Sequence, residues 1–117
     1  MNKIYFIQDK TDANFRKPFV AICKTLKGAE AKMLSMQSKL NEKLKGLISM
    51  DSLDVTDFDG NKSSVYVIYD KTDKNHPKPV VAAYFDYSNA SNALNTLRAK
   101  VSPHAQKLIY LGNEQLS

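Results

Sequence analysis

Residues 4–51 align without a gap on residues 65–112, at a constant offset of 61. Asp9-Lys10-Thr11-Asp12-Ala13-Asn14-Phe15-Arg16-Lys17-Pro18-Phe19-Val20-Ala21 lies over Asp70-Lys71-Thr72-Asp73-Lys74-Asn75-His76-Pro77-Lys78-Pro79-Val80-Val81-Ala82, and nine of those thirteen pairs are identical. Fifteen of the forty-eight aligned pairs are identical overall. A match of this length reads as a tandem duplication, so fold reasoning has to explain one unit and then the joining of two. A unit of about sixty residues buries little of its surface by itself. The expectation is therefore one domain, 1–117, made of two repeats (1–57 and 62–117) that share a core.

Each unit opens with a β-rich run, Ile4-Gln8 or Val65-Tyr69. A polar connection closed by Lys-Pro follows, and then a second apolar run, Phe19-Lys24 or Val80-Phe85. That is a hairpin with a long loop. Apolar residues on both sides of the alternation, Ile4 and Phe6 against Tyr5 and Ile7, predict strands covered on both faces. Thr25 and Asp86 are N-cap residue types at equivalent positions. Beyond them the apolar spacing changes to three and four. Ala29, Met33, Met36, Leu40, Leu44 and Leu47 form one stripe, and Ala90, Leu94, Leu97 and Val101 form the other. The first helix is expected to run on to Lys45, and the second to stop near Val101, before Pro103.

Short third strands are expected at Leu47-Met50 and Leu108-Leu111, an additional strand at Leu53-Phe58, and a tight turn at Asp59-Gly60. The predicted fold is α+β: a tandem ββαβ duplication, mostly antiparallel, with two helices on one face about a pseudo-twofold axis. One arrangement is a sheet continuous through both units; the other is two layers joined back to back.

Charge bounds the partners. The chain has 17 basic and 12 acidic side chains, a net charge of +5. Residues 1–50 carry ten bases and four acids (+6), residues 51–61 four aspartates (−4), and residues 62–117 seven bases and four acids (+3). Only Arg16 and Arg98 are arginine, which disfavours bidentate reading of guanine and phosphate. The longest apolar run, Val80 to Phe85, is too short to span a bilayer, and the opening residues are a strand rather than a signal peptide. A single cysteine, Cys23, excludes an internal disulfide, and its counterpart is Tyr84. Cytoplasmic residence is expected.

No local motif for catalysis, nucleotide binding or zinc is present, and no cofactor or catalytic residue is assigned. Asp51, Asp54, Asp57 and Asp59 lack the spacing of a helix-loop-helix calcium site, which needs a glutamate where this chain has Tyr66. His76 and His104 align with Phe15 and Lys43, so neither belongs to a repeated constellation. The repeated Asp-Lys-Thr-Asp loops contain residues that bond to their own backbone and hold a loop in shape. Their lysines, Lys10, Lys17, Lys71 and Lys78, cap no turn and are candidates for contact with a partner.

The second group of candidates is on the first helix. Lys32, Lys39 and Lys43 are read along one flank, with Lys27 near its start. The second helix has Ser88, Ala93, Lys100 and His104 at the corresponding positions. The buried stripes agree while the outer faces differ, which points to recognition by one face only. The leading expectation is a small non-catalytic binding protein that modulates or inhibits a partner with an acidic surface, of the size of inhibitors encoded by mobile elements. The alternatives are a non-specific nucleic-acid binder, with Tyr5, Tyr66 and Tyr84 available for stacking, and a small enzyme in which Asp9 or Asp12 faces Asp70 or Asp73. No membrane and no small-molecule cofactor are implied.

Overall fold

The computed structural model describes residues 2–10, 19–72 and 80–117. The chain falls into two compact units. Unit one comprises residues 1–54 together with 116–117, and unit two comprises residues 55–115. Each is an α+β body with its own antiparallel sheet of three strands. The sheet continuous through both units is therefore not formed.

In unit one, β1 (Lys3–Asp9) is central, flanked by β2 (Ala21–Cys23) and β3 (Ile48–Asp54). Helix α1 spans Leu26–Gln37, and a one-turn helix α2 spans Glu42–Lys45. In unit two, β4 (Ser64–Asp70) is central, between β5 (Val80–Tyr84) and β6 (Ile109–Gln115). Helix α3 spans Tyr87–Arg98, and a 3₁₀ turn spans Ala105–Leu108. Tyr5 pairs with Cys23 and Ile7 with Met50; in unit two Tyr66 pairs with Tyr84 and Ile68 with Leu111. Each of these partners is displaced by the same 61 positions.

The central strands form because Ile, Tyr, Phe and Val suit a pleated surface that is buried on both sides. One face carries the helix. Ala29 packs with Ile7, Ala21, Cys23 and Ile48, and Met33, Met36 and Leu40 close over them. In unit two, Leu94 packs with Ile68 and Ile109, supported by Leu97 and Val101. The other face is buried too: Ile4, Phe6 and Ile22 in unit one, and Val65, Val67 and Tyr69 in unit two. The hairpin of unit two carries a bulge on its outer strand, whereas the described register of unit one is regular. Val20 N–H donates to Ile7 O beside the Ile7–Ala21 pair, and the register slips between Ile68 and Tyr69 so that Val81 has no partner. A bulge twists a free strand edge away from pairing with other chains.

Four boundaries differ from expectation. Helix α1 ends at Gln37 rather than running to Lys45, because Ser38 Oγ bonds back to Ser35 O at 2.7 Å and Asn41 Oδ1 accepts from Leu44 N–H at 3.1 Å to start α2. Short polar side chains here outcompete helix propagation. Helix α3 ends at Arg98, ahead of Val101. The third strands run to Asp54 and Gln115, and residues 55–58 form no additional strand. The turn before β4 places Gly60 and Asn61 at its centre, with Lys62 N–H donating to Asp59 O and Asn61 N–H to Asp59 Oδ1, so Asp59 is its first residue.

Two different side chains tie each helix end to the third strand. Gln37 Nε2 donates to Lys45 O at 3.2 Å and reaches Ile48 O at 3.5 Å. At the corresponding place Arg98 Nε donates to Ile109 O at 2.9 Å. The helix starts differ more. Thr25 Oγ1 accepts from Gly28 N–H at 3.1 Å, whereas the Asp86 side chain makes no capping bond. Accordingly, Thr25→Ala should cost about 1 kcal/mol in urea unfolding and Asp86→Ala only a few tenths of that. Equal losses at the two positions would contradict the difference in capping.

Candidate functional site

The predicted lysines occupy several different elements. Lys27 lies in the first turn of α1 and Lys32 five residues on, about 140° apart around the helix axis. Lys39 stands in the turn after α1, and Lys43 lies within α2. The single flank expected from a continuous helix is therefore broken into separate positions by the stop at Gln37. All four side chains are exposed. Among the described residues no carboxylate lies within ion-pair distance of Lys27, Lys32, Lys39 or Lys43. Lys45, by contrast, pairs with Glu42 at 2.9 Å. Helix α1 has no acid in its first turn, so Lys27 sits against the positive end of the helix dipole.

Of the loop residues, Lys10 and Lys71 are described, and both are exposed. Their backbone N–H groups bond Leu47 O at 2.9 Å and Leu108 O at 2.8 Å, which fixes the root of each loop at the start of the third strand. Lys71 Nζ stands 5.4 Å from the centre of the Tyr110 ring. Asp70 Oδ1 accepts from Thr72 N–H at 2.9 Å and from Thr72 Oγ1 at 2.6 Å, the local turn chemistry expected of this loop. Lys17, Lys78, Asp12 and Asp73 lie outside the described residues, as does His76. Asp9 belongs to unit one and Asp70 to unit two.

Two constellations in unit two were not legible in the sequence. The first is built on Asp57. Its carboxylate accepts from Phe85 N–H at 2.8 Å, from Asp86 N–H at 3.0 Å and from Asn89 Nδ2 at 3.0 Å. Burial pushes this carboxyl up, but the hydrogen bonds from Asn89, Phe85 and Asp86 outweigh it and hold it below its ordinary value. Asp57 thus supplies the cap that Asp86 does not. The second is Tyr69. Its hydroxyl donates to Glu114 Oε1 at 2.9 Å, and its ring stacks on Tyr110 at 5.0 Å. Burial first, and then the Glu114 carboxylate, push the phenol far above its usual range. A phenol so placed donates and does not ionise, so the pair is structural.

The remaining candidates resolve into local roles. Asp51 accepts from Ser52 N–H, Asp54 stands 3.9 Å from Lys3 Nζ, and Asp59 opens a turn. Among the described residues no three His, Cys, Asp or Glu side chains are grouped to hold a metal ion. Cys23 is buried; burial pushes its thiol up, with the Lys32 ammonium opposing. A groove of about 380 Å³ between β5 and α3 is lined by Val81, Ala82, Tyr84, Ala93, Thr96 and Leu97. The Thr96 hydroxyl already donates to Asn92 O at 2.9 Å, so the groove has few polar groups with which to orient a small molecule. Among the described residues no helix is long and apolar enough to cross a membrane.

No protein-family model, no curated protein and no solved structure matches this chain. What can be said of its role rests on its own chemistry.

Proposed function

We propose that the chain is a non-catalytic binding protein, a tandem duplication of one ββαβ unit, that modulates a macromolecular partner with an acidic surface through the lysines of unit one. The observation that carries this reading is the set of Lys27, Lys32, Lys39 and Lys43, exposed and free of any described carboxylate. The corresponding residues of unit two are Ser88, Ala93, Lys100 and His104. Exposed cations contribute little to the stability of a fold, whereas they speed and orient encounter with an oppositely charged partner. Lys27 supports the reading further, because it stands where the helix dipole favours an acid. Lys10 in unit one and Lys71 in unit two, each exposed at the root of its own loop, are further candidates for contact with the partner.

The test replaces Lys32, Lys39 and Lys43 together with glutamate. The urea unfolding curve should be unchanged, since all three are exposed. Capture of the partner from native host extract, read by quantitative mass spectrometry, should fall at least tenfold, which corresponds to about 1.4 kcal/mol. Undiminished capture by the triple variant would refute the assignment of this surface.

A further inference from the structure

We infer that the outer edge of β6 pairs antiparallel with the same edge of a second copy of this chain, with Gly112 facing Gly112 across the twofold axis. The pairing uses backbone groups of unit two and is independent of the lysine surface of unit one. Among the described residues the two sheets leave four outer strands, β2, β3, β5 and β6. An outer strand offers a row of N–H and C=O groups to another chain unless something closes it. Three of these strands are closed by different means. On β2, Ile22 O accepts from Ser117 N–H at 2.8 Å. On β3, Ser52 N–H donates to Asp51 Oδ1 at 2.9 Å, and Asp51 and Asp54 place charge along the strand. Strand β5 is bulged at Val81, and beyond it Phe85 N–H donates to Asp57 Oδ1.

Strand β6 has no such device beyond its first residue. Lys71 N–H bonds Leu108 O, so the alternation of an antiparallel ladder turns the backbone groups of Tyr110, Gly112 and Glu114 toward β4 and those of Leu111, Asn113 and Gln115 outward. Ile109 is occupied: its N–H donates to Gln106 O, and its O accepts from Arg98 Nε at 2.9 Å. Among the described residues, no donor or acceptor reaches the outward groups of Leu111 or Asn113. In the repeat, Gly112 and Asn113 match Asp51 and Ser52. Glycine in place of the aspartate is what leaves Asn113 N–H open where Ser52 N–H is bonded. The β4–β6 register is regular from Ser64–Gln115 to Asp70–Ile109, so no bulge turns this edge away.

The chemistry of the edge selects the same edge as its partner. Two identical strands paired antiparallel make an isologous contact. With Gly112 on the axis, Leu111 of each copy faces Asn113 of the other, and the two pairs exchange about four backbone bonds. Gly112 then falls at a non-hydrogen-bonded pair, where Cα atoms stand about 4.5 Å apart and a glycine brings no side chain to crowd the axis. Tyr110, Gly112 and Glu114 share one face of the strand. Glu114 of each copy therefore comes opposite Tyr110 of the other, beside the Lys71 ammonium that stands 5.4 Å from the centre of that ring. This register sets a carboxylate near an ammonium twice, once on each side of the axis, whereas an axis on Leu111 would set Glu114 opposite Leu108.

The test uses the full chain at about 0.15 M salt, where repulsion between two chains of net charge +5 is screened. Sedimentation velocity should show a monomer–dimer equilibrium between about 1 μM and 1 mM, the range of a small interface. Amide hydrogen exchange read by NMR over the same range should slow roughly fivefold at Leu111 and Asn113 as the dimer forms, while Met50 on β3 is unchanged. Asn113→Pro removes an outward N–H without touching the ladder to β4, so it should raise the dimer dissociation constant about tenfold and keep the unfolding transition. Lys71→Glu, at an exposed position, sets like charge near Glu114 of the second copy and should weaken the dimer severalfold, which keeps the inference refutable if the proline variant does not fold. A chain that is monomeric throughout the range overturns the inference. So do a dimer without slowed exchange at Leu111 and Asn113, and a dimer left intact by folded Asn113→Pro or by Lys71→Glu. Slowed exchange at these amides only when host extract is added would give the edge to a different polypeptide and overturn self-pairing. Partner capture through the lysines of unit one stands or falls on its own experiment.

Discussion

Asp57→Ala is expected to lower the stability of unit two by about 2–3 kcal/mol, the largest effect of any single polar substitution considered. The carboxylate holds three donors at once, two of them the backbone N–H groups of Phe85 and Asp86 at the start of α3. Hydrogen bonds to a charged acceptor are worth more than neutral ones, and their removal leaves Phe85 N–H beside a buried ring with no acceptor. The Asp86 side chain makes no capping bond that would compensate. Urea unfolding of wild type and variant measures the loss. The dependence on pH has a fixed sign. Because the folded carboxyl is held below its unfolded value of about 3.9, its contribution is fully present above that value and disappears as the pH falls through the folded one. The gap between wild type and Asp57→Asn should therefore be widest above about pH 5 and close on acidification. A gap that widens in acid would contradict the arrangement.

Gly112→Ala is expected to cost about 2 kcal/mol, although no unusual backbone angle is involved. A β-carbon at Gly112 would stand 2.8 Å from Tyr69 Cε2 and 3.1 Å from Glu114 Oε1. The Tyr69 ring is buried and stacked on Tyr110, so it cannot swing aside without breaking its bond to Glu114. Overpacking and the lost hydrogen bond act together. Removing the ring should remove the clash, so Tyr69→Val combined with Gly112→Ala should cost clearly less than the sum of the two single changes in a urea cycle. Strict additivity would show that the crowding lies elsewhere. Unit one has Gln8 and Asp51 at the matching positions, and there a full side chain is accommodated opposite Phe6.

The contrast between the units explains what was readable in the sequence. Strands and helices were legible because apolar periodicity is a local property, and the constant offset doubled every signal. The stripe Ala29, Met33, Met36 and Leu40 has the spacing of a core face, and these residues do pack with Ile7 and Ile48. The same stripe hid the end of α1, because Leu40 and Leu44 keep the helical spacing across a break made by Ser38 and Asn41. Those two are N-cap residue types, and they were the available signal. The flank of Lys32, Lys39 and Lys43 presupposes the same unbroken helix, whereas Lys39 and Lys43 stand outside α1. The division into two sheets and the reach of Asp57 depend on which segment returns to which strand edge. Spacing along the chain does not encode that, and an aspartate in an acidic run shows no outward mark of being a cap. Tyr69 and Glu114 meet across 45 residues and have no counterpart pair in unit one, so the repeat gave no prompt to join them.

Unit one is not a continuous stretch of chain: Ser117 N–H donates to Ile22 O at 2.8 Å, on the outer rim of β2. On the ribosome, all of unit two is synthesised before that donor exists. The half that begins first therefore gains this contact only after all of the other half has emerged.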